Sequence, residues 1–273
     1  MTALRFEIIP ADGVADRLAR TFADTSAVTL TVTSLPQHGV ERTVRASIEL
    51  ARLGFGVVPH LSARAIASRG ELESILLRMH DSGIGEAFVV SGDGGSPAGS
   101  YSTSLELIHD IVDRAPQLSL GIAGYPEGHP HQSPDQLSKH LLERAPFVDK
   151  VVTQLCFSAE TIGTYAAQLR ASGVTAPLWV GVPGALRRSR LISLSARIGV
   201  GSSLGFLKRS AGVAGGLLRS RDFDPAPFIA ELAAEPQLQR VGVAGLHVYS
   251  FNEIERLPEV QSLVARTHGA AAE

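Results

Sequence analysis

The chain has 273 residues, 44% hydrophobic and 19% charged, which is typical of a globular protein with a large core. Its 25 basic and 27 acidic residues give a formal net charge of −2, so it lacks the basic excess that nucleic-acid binding requires. No apolar run is long enough to cross a bilayer, the start of the chain lacks a signal-peptide pattern, and the single cysteine excludes an internal disulfide. We therefore expect a cytoplasmic protein that does not contact membranes.

Short apolar runs recur along the chain, rich in Val, Ile, Leu and Phe as in strands that are buried on both faces of a parallel sheet. They cover residues 4–9, 27–33, 55–60, 87–91, 118–123, 150–155, 178–182 and 241–249.

Amphipathic stretches lie between most of these runs. The clearest, "GELESILLRMHDSG", places Leu72, Ile75, Leu76 and Met79 on one helical stripe and ends at Gly83. Eight strands that alternate with helices predict a (β/α)8 TIM barrel, formed as a single catalytic domain over residues 1–273. The rival is a doubly wound open sheet, but its common G-x-G-x-x-G does not follow the first strand, which ends in "EIIPADG". Residues 183–223 are the least regular and are a candidate for an extra helix over one end of the barrel.

Active sites in such barrels lie at the C-terminal ends of the strands, so polar residues there are the candidates. In chain order they are Glu7, Thr31, Thr33, His60, Ser91, Asp93, Tyr125, Glu127, His129, Thr153, Gln154, Phe157, His247, Tyr249 and Asn252. This convergence on one end favours an active site over a purely structural barrel.

Glu7 is the strongest candidate for chemistry. An ionised carboxylate among apolar residues is costly unless it is paired, so its pKa tends to rise and it becomes a usable proton donor. A charge on the barrel rim is the alternative. Asp93 in "SGDGG" could equally make a turn, His60 could be a satisfied core histidine, and Gln154 could bridge backbone groups.

Other common chemistries find no support. His129 and His131 in "HPHQ" have no second cluster at metal-ligand spacing, and we predict no metal site. The G-x-S-x-G elbow of many hydrolases and the P-loop of nucleotide-binding proteins are also absent from the sequence.

Taken in order, these strand-end motifs resemble the methylenetetrahydrofolate reductase family. The fragments are "FEIIP", "VTSLPQHGVERT", "VPHLS", "SGD", "GYPEGHP", "TQLCF", "VPG" and "LHVYSFN", of which "YPEGHP" followed by "TQLCF" is the most specific. The resemblance implies a (β/α)8 barrel that reduces 5,10-methylenetetrahydrofolate to 5-methyltetrahydrofolate with NADH or NADPH, in one-carbon metabolism and methionine biosynthesis. It assigns Glu7 and Asp93 to catalysis, Gln154, Phe157 and Tyr249 to the folate, and Thr33, His60, Tyr125 and His129 to the cofactor.

The sequence departs from the family's pattern at three positions, and in other members the first two lie near the flavin. Ser91 replaces an arginine, Glu143 replaces a lysine that contacts the flavin phosphates, and Glu253 replaces an arginine after Asn252. A carboxylate repels a pyrophosphate, so two hypotheses stay open. The protein uses the FAD that the family implies, or hydride passes directly from NAD(P)H to the folate without a flavin. A folate-dependent methyl-transfer enzyme and a non-catalytic folate-binding barrel remain alternatives.

Overall fold

A computed structural model describes residues 3–92, 96–197 and 222–269. The strands are Ala3–Ile8 (β1), Thr29–Val32 (β2), Gly56–Ser62 (β3), Glu86–Val90 (β4), Ser119–Gly124 (β5), Lys150–Thr153 (β6), Leu178–Pro183 (β7), Leu186–Arg187 (β8), Asp222–Phe223 (β9) and Gly245–Tyr249 (β10). The helices are Val14–Thr21 (α1), Gly39–Arg52 (α2), Arg69–Asp81 (α3), Ser104–Arg114 (α4), Pro134–Arg144 (α5), Ala159–Ala171 (α6), Arg188–Arg197 (α7), Ala226–Ala234 (α8), Pro236–Val241 (α9) and Leu257–Gly269 (α10).

Eight of the strands close into a barrel in the order β1-β10-β7-β6-β5-β4-β3-β2, and their pairing is parallel. Helices connect successive strands, so the predicted (β/α)8 TIM barrel is confirmed. The remaining strands, β8 and β9, form a separate antiparallel pair. Every helix of the described ranges is too short or too polar to span a membrane.

Helix α3 illustrates how the sequence specifies its elements. The hydroxyl of Ser68 accepts a hydrogen bond from the backbone N–H of Glu71 at 3.1 Å and so caps the first turn. The predicted apolar stripe is the buried face, whose members Leu72, Ile75, Leu76 and Met79 are all buried.

The last barrel strand is shorter than predicted. The run 241–249 contains the end of helix α9, and β10 begins only at Gly245. Pro236 at the start of this helix and Gly242, whose φ of 75° is left-handed, are the start and stop signals that the apolar run concealed. Helices α1 and α10 were not predicted from the sequence either. Helix α7 lies in the irregular segment 183–223, but residues 198–221 lie outside the described part.

The chain divides into two compact units. The first, here the N-terminal unit, contains Arg5–Ala123 and Glu143–Val151; the second, the C-terminal unit, contains Met1–Leu4, Gly124–Leu142 and Val152–Glu273. In the N-terminal unit, the rings of Phe6, Phe22 and Phe55 pack in sequence at 6.1 and 6.3 Å between centroids. In the C-terminal unit, a cluster of Leu155, Phe157, Leu186, Leu191 and Phe223 is buried, and Tyr249 and Phe251 pack against it. The single catalytic domain stays a prediction.

Candidate functional site

Glu7 lies on β1 of the N-terminal unit, and its side chain points to the opposite face of the strand from the buried side chains of Phe6 and Ile8. Its Oε2 atom is 3.9 Å from Nε2 of His60 on β3, and the side chains are 18% and 10% exposed. This separation exceeds a hydrogen bond but is short enough for a strong interaction between charges in a partly buried setting. The fold therefore brings together two of the predicted site residues, a carboxylate and an imidazole.

A second carboxylate on the barrel strands has a different setting. Glu86, at the start of β4, forms ion pairs with Arg5 and with Lys150, the latter at 2.8 Å. Its charge is thus balanced by two cations of the same unit, which is the arrangement expected of a structural ion pair. Glu7 instead faces a side chain that is itself titratable.

Two threonines of the N-terminal unit have buried hydroxyls. Thr31 is aligned with Glu7 across β1 and β2, and Thr33 follows β2 directly. They are 3% and 8% exposed, and neither Oγ1 has a hydrogen-bond partner within the described part of the chain. Leaving a buried hydroxyl without a partner costs about 1–3 kcal/mol, so these groups are suited to receive a polar ligand.

The ring of His60 is held against an aromatic neighbour. It is 8% exposed, and its centroid is 4.7 Å from that of Phe88 at an angle of 42°. This contact limits rotation of the imidazole, so its edge stays directed towards Glu7. The predicted contact of His60 with a cofactor stays a prediction.

Ser91 directly follows β4, and its side chain contacts the first residue of helix α4, Ser104. Its Oγ accepts a hydrogen bond from the backbone N–H of Ser104 at 3.1 Å and lies 3.3 Å from Ser104 Oγ. Nη1 of Arg144 donates to Ser104 Oγ at 3.0 Å, while Glu143 beside it is exposed. Asp93, predicted to be catalytic, lies outside the described residues.

In the C-terminal unit, the loop after β5 folds back on itself. Gly128, with a φ of 83°, donates its N–H to the carbonyl of Tyr125 at 3.1 Å. The rings of Tyr125 and His129 meet edge to face at 5.2 Å, and His129 Nδ1 accepts from the backbone N–H of His131 at 3.2 Å. The prolines and glycines of "GYPEGHP" thus build a closed turn that presents a phenol and an imidazole together.

The ends of β6, β7 and β10 approach closely in the same unit. Tyr249 Oη donates to the carbonyl of Thr153 at 3.1 Å, and Gly181 N–H donates to Thr153 Oγ1 at 2.8 Å. A Cβ at Gly181 would lie 2.3 Å from that carbonyl oxygen, so only glycine fits there. The predicted folate ligand Gln154 turns its Oε1 to the backbone N–H of Leu155 at 2.8 Å.

Phe157, also predicted to contact the folate, is 2% exposed and packs on Phe223 at 6.4 Å between centroids. Phe251 was not among the site residues predicted from the sequence; it follows β10 with a positive φ of 49°. The residue type gives no indication of this positive φ, because phenylalanine rarely adopts a left-handed backbone. Across residues 3–92, 96–197 and 222–269, no group of three His, Cys, Asp or Glu side chains could hold a metal ion.

Comparisons with known proteins agree with this architecture. The structure is similar to that of an uncharacterized protein from Clostridium thermocellum that binds two copies of 5-methyl-5,6,7,8-tetrahydrofolic acid, with a TM-score of 0.65, 11% identity, and coverage of 97% of this chain and 94% of that one. It is also similar to a sialic acid aldolase from Ruminococcus gnavus, with a TM-score of 0.50, 10% identity, and coverage of 90% and 67%. At these identities the similarities show a shared fold.

Comparison of the sequence with family models identifies the family, which the structural similarities alone do not. The family described as "Methylenetetrahydrofolate reductase" matches residues 13–188, which is more than half of the chain and includes most of the strand-end motifs. This chain therefore belongs to the methylenetetrahydrofolate reductase family.

Proposed function

We propose that this chain reduces 5,10-methylenetetrahydrofolate to 5-methyltetrahydrofolate with NADH or NADPH, and that Glu7 donates the proton. The observation that carries the proposal is the pairing of Glu7 with His60 at 3.9 Å, in a chain of this family. The side chain of Glu7 is only 18% exposed, which favours an acid that exchanges protons with a bound ligand rather than with bulk water.

The substrate carries its one-carbon unit bridged between two nitrogens. Protonation of one nitrogen by Glu7 breaks its bond to the bridging carbon and leaves an iminium on the other. A reduced nicotinamide, when bound, supplies the hydride that converts this iminium to a methyl group. Proton and hydride together account for the two-electron reduction.

His60 has a role in this proton transfer that follows from charge. Glu7 becomes a carboxylate when it gives up its proton, and the imidazole of His60 at 3.9 Å is close enough to interact with that charge. Since Phe88 holds the imidazole ring in place, His60 needs no rearrangement to do so. Gln154, Phe157, Tyr249 and Asp93 are proposed to bind and orient the folate, as the family resemblance implies.

The FAD that the family implies fits these residues poorly. The hydroxyl of Ser91 already accepts from the backbone N–H of Ser104 at the start of α4, and Glu143 is an exposed carboxylate at the position where the resemblance implies a phosphate-binding lysine. We therefore propose direct hydride transfer from NAD(P)H without a flavin. Thr33, Tyr125 and His129 are the proposed nucleotide contacts, and the buried hydroxyl of Thr33 fits a polar ligand.

The test is the oxidation of NADH and of NADPH by purified protein with methylenetetrahydrofolate, measured with and without added FAD. Turnover without FAD is the expected result. A strict requirement for FAD would contradict direct transfer, and no oxidation under either condition would contradict the reductase.

A second candidate is a folate-binding or methyl-transferring barrel that oxidises no NAD(P)H. The favouring observation is the shared fold with the Clostridium thermocellum protein, which binds 5-methyl-5,6,7,8-tetrahydrofolic acid. Tight binding of that compound without NAD(P)H oxidation would identify this candidate.

A further inference from the structure

The turn that follows β10 in the C-terminal unit has a strained backbone. Phe251 and Asn252 have φ values of 49° and 62°, and within the described residues they are the non-glycine positions with a positive φ. Asparagine tolerates this conformation, but a bulky phenylalanine rarely adopts it. Such strain persists only where the surroundings enforce it, and it concentrates at ligand-binding sites.

Helix α7 enforces this conformation through Arg190. The guanidinium forms an ion pair with Glu253 through Nη1, and its Nη2 donates to the carbonyl of Phe251 at 3.0 Å. The buried Ser250 adds two bonds, since its carbonyl accepts from Glu253 N–H at 3.0 Å and its Oγ accepts from Asn252 N–H at 3.1 Å. The negative charge at Glu253 is therefore balanced within the unit. Arg190 and Ser250 together fix the backbone of the turn.

The consequence is the position of an aromatic ring. Phe251 stacks on Tyr249 with 6.4 Å between centroids and 29° between planes. Behind them lies the buried cluster that includes Phe157 and Phe223, while Tyr249 and Phe251 themselves are only half-buried. Two nearly parallel rings with an apolar backing and remaining exposed surface make a platform for a flat heteroaromatic ligand.

We propose that Phe251 is a further ligand-contacting residue, which with Tyr249 stacks on a planar ring of the folate, and that Arg190 and Glu253 are its positioning residues. The inference rests on the folate binding in the proposed function. Phe251 packs against the buried cluster with part of its surface, whereas glycine would adopt the same backbone without strain but would present no ring to a ligand.

The experiment measures the Kd of 5-methyltetrahydrofolate by calorimetry, together with the thermal midpoint of each variant. Phe251→Leu keeps the apolar volume and loses the ring, and it is expected to raise Kd about tenfold. Phe251→Tyr keeps the ring, and its Kd should stay within about twofold of the wild-type value. Phe147→Leu, at an exposed ring of the N-terminal unit, is the matched control and should leave Kd unchanged.

Glu253→Gln tests the positioning role, because it removes the ion pair and keeps the side-chain shape. It is expected to raise Kd about threefold in the wild type but to have no further effect in a Phe251→Leu background. An equal effect in both backgrounds would overturn the positioning role of Glu253.

The outcomes separate this inference from the reductase. An unchanged Kd in Phe251→Leu, with a wild type that binds folate, overturns the inference alone. If the wild type binds folate and Phe251→Leu weakens that binding, the inference stands even where no NAD(P)H is oxidised. A wild type that binds no folate overturns both.

Discussion

The buried hydroxyl of Thr31 leads to a prediction in which stability and binding change in opposite directions. Thr31→Val replaces the hydroxyl by a methyl group of nearly the same size, at a position that is 3% exposed. Because the hydroxyl has no partner among the described residues and its burial costs about 1–3 kcal/mol, we expect the ligand-free protein to gain about 1 kcal/mol. In a chain of this length that gain corresponds to about 3 °C in Tm.

The matched control is Thr43→Val, the same chemical change at a fully buried threonine of the same unit. Thr43 Oγ1 donates to the carbonyl of Thr33 at 2.9 Å, so this variant should lose about 1–2 kcal/mol. Urea unfolding of both variants, compared at a common m-value, measures the two changes. Equal destabilisation by Thr31→Val and Thr43→Val would show that the Thr31 hydroxyl carries no burial cost of this kind.

Binding provides the second readout for Thr31→Val. If the hydroxyl serves a bound ligand, its loss should raise the Kd of methylenetetrahydrofolate or of NAD(P)H by about 3- to 10-fold despite the gain in stability. Equilibrium titrations with each ligand separately would assign the hydroxyl to one of them. A more stable variant with unchanged Kd for every ligand would contradict a role in binding.

Two further predictions concern the N-terminal unit. Tyr101→Phe removes a 2.6 Å hydrogen bond to Asp110 and should cost about 1.5–3 kcal/mol by urea unfolding, because the acceptor is charged. Burial and this bond raise the pKa of Tyr101 from 10.0 to about 12, whereas the bond and nearby arginines outweigh burial and lower the pKa of Asp110 from 3.8. The stabilisation should thus be full between about pH 3.8 and 10, and be lost as the pH falls through the lowered pKa or rises through the raised one. Gly99→Ala should cost more than about 2 kcal/mol in unfolding free energy, because its methyl would lie 2.0 Å from the carbonyl oxygen of Ala67, whereas Gly85→Ala meets open space and should cost nothing.

The barrel could be predicted from the sequence because strand burial and helix periodicity are local signals. The stripe of helix α3 and its end at Gly83 were read directly, and the structure confirms the buried face. The start of the last strand could not be read, because Val241 continues an apolar run although it belongs to a helix. Apolarity alone does not distinguish the end of a buried helix from a strand.

The site was predicted as a set of residue types but not as an arrangement. Glu7 and Glu86 both lie in apolar strands, so the sequence does not distinguish their settings. The fold shows that Glu7 faces His60, whereas Glu86 is neutralised by Arg5 and Lys150. Phe251 was missed because its importance lies in a backbone conformation that its residue type disfavours. Both features depend on contacts between residues far apart in the chain, which local patterns do not encode.

Glu7 is proposed to supply the proton in a flavin-independent reduction. The most direct measurement is kcat for NADH or NADPH oxidation with methylenetetrahydrofolate and no FAD, in the wild type and in Glu7→Gln, with Glu49→Gln on the exposed face of α2 as the control. We expect a wild type and control of equal activity, and a Glu7→Gln protein that folds, binds folate and turns over about 10²- to 10⁴-fold more slowly. Unchanged turnover in Glu7→Gln would contradict this role of Glu7.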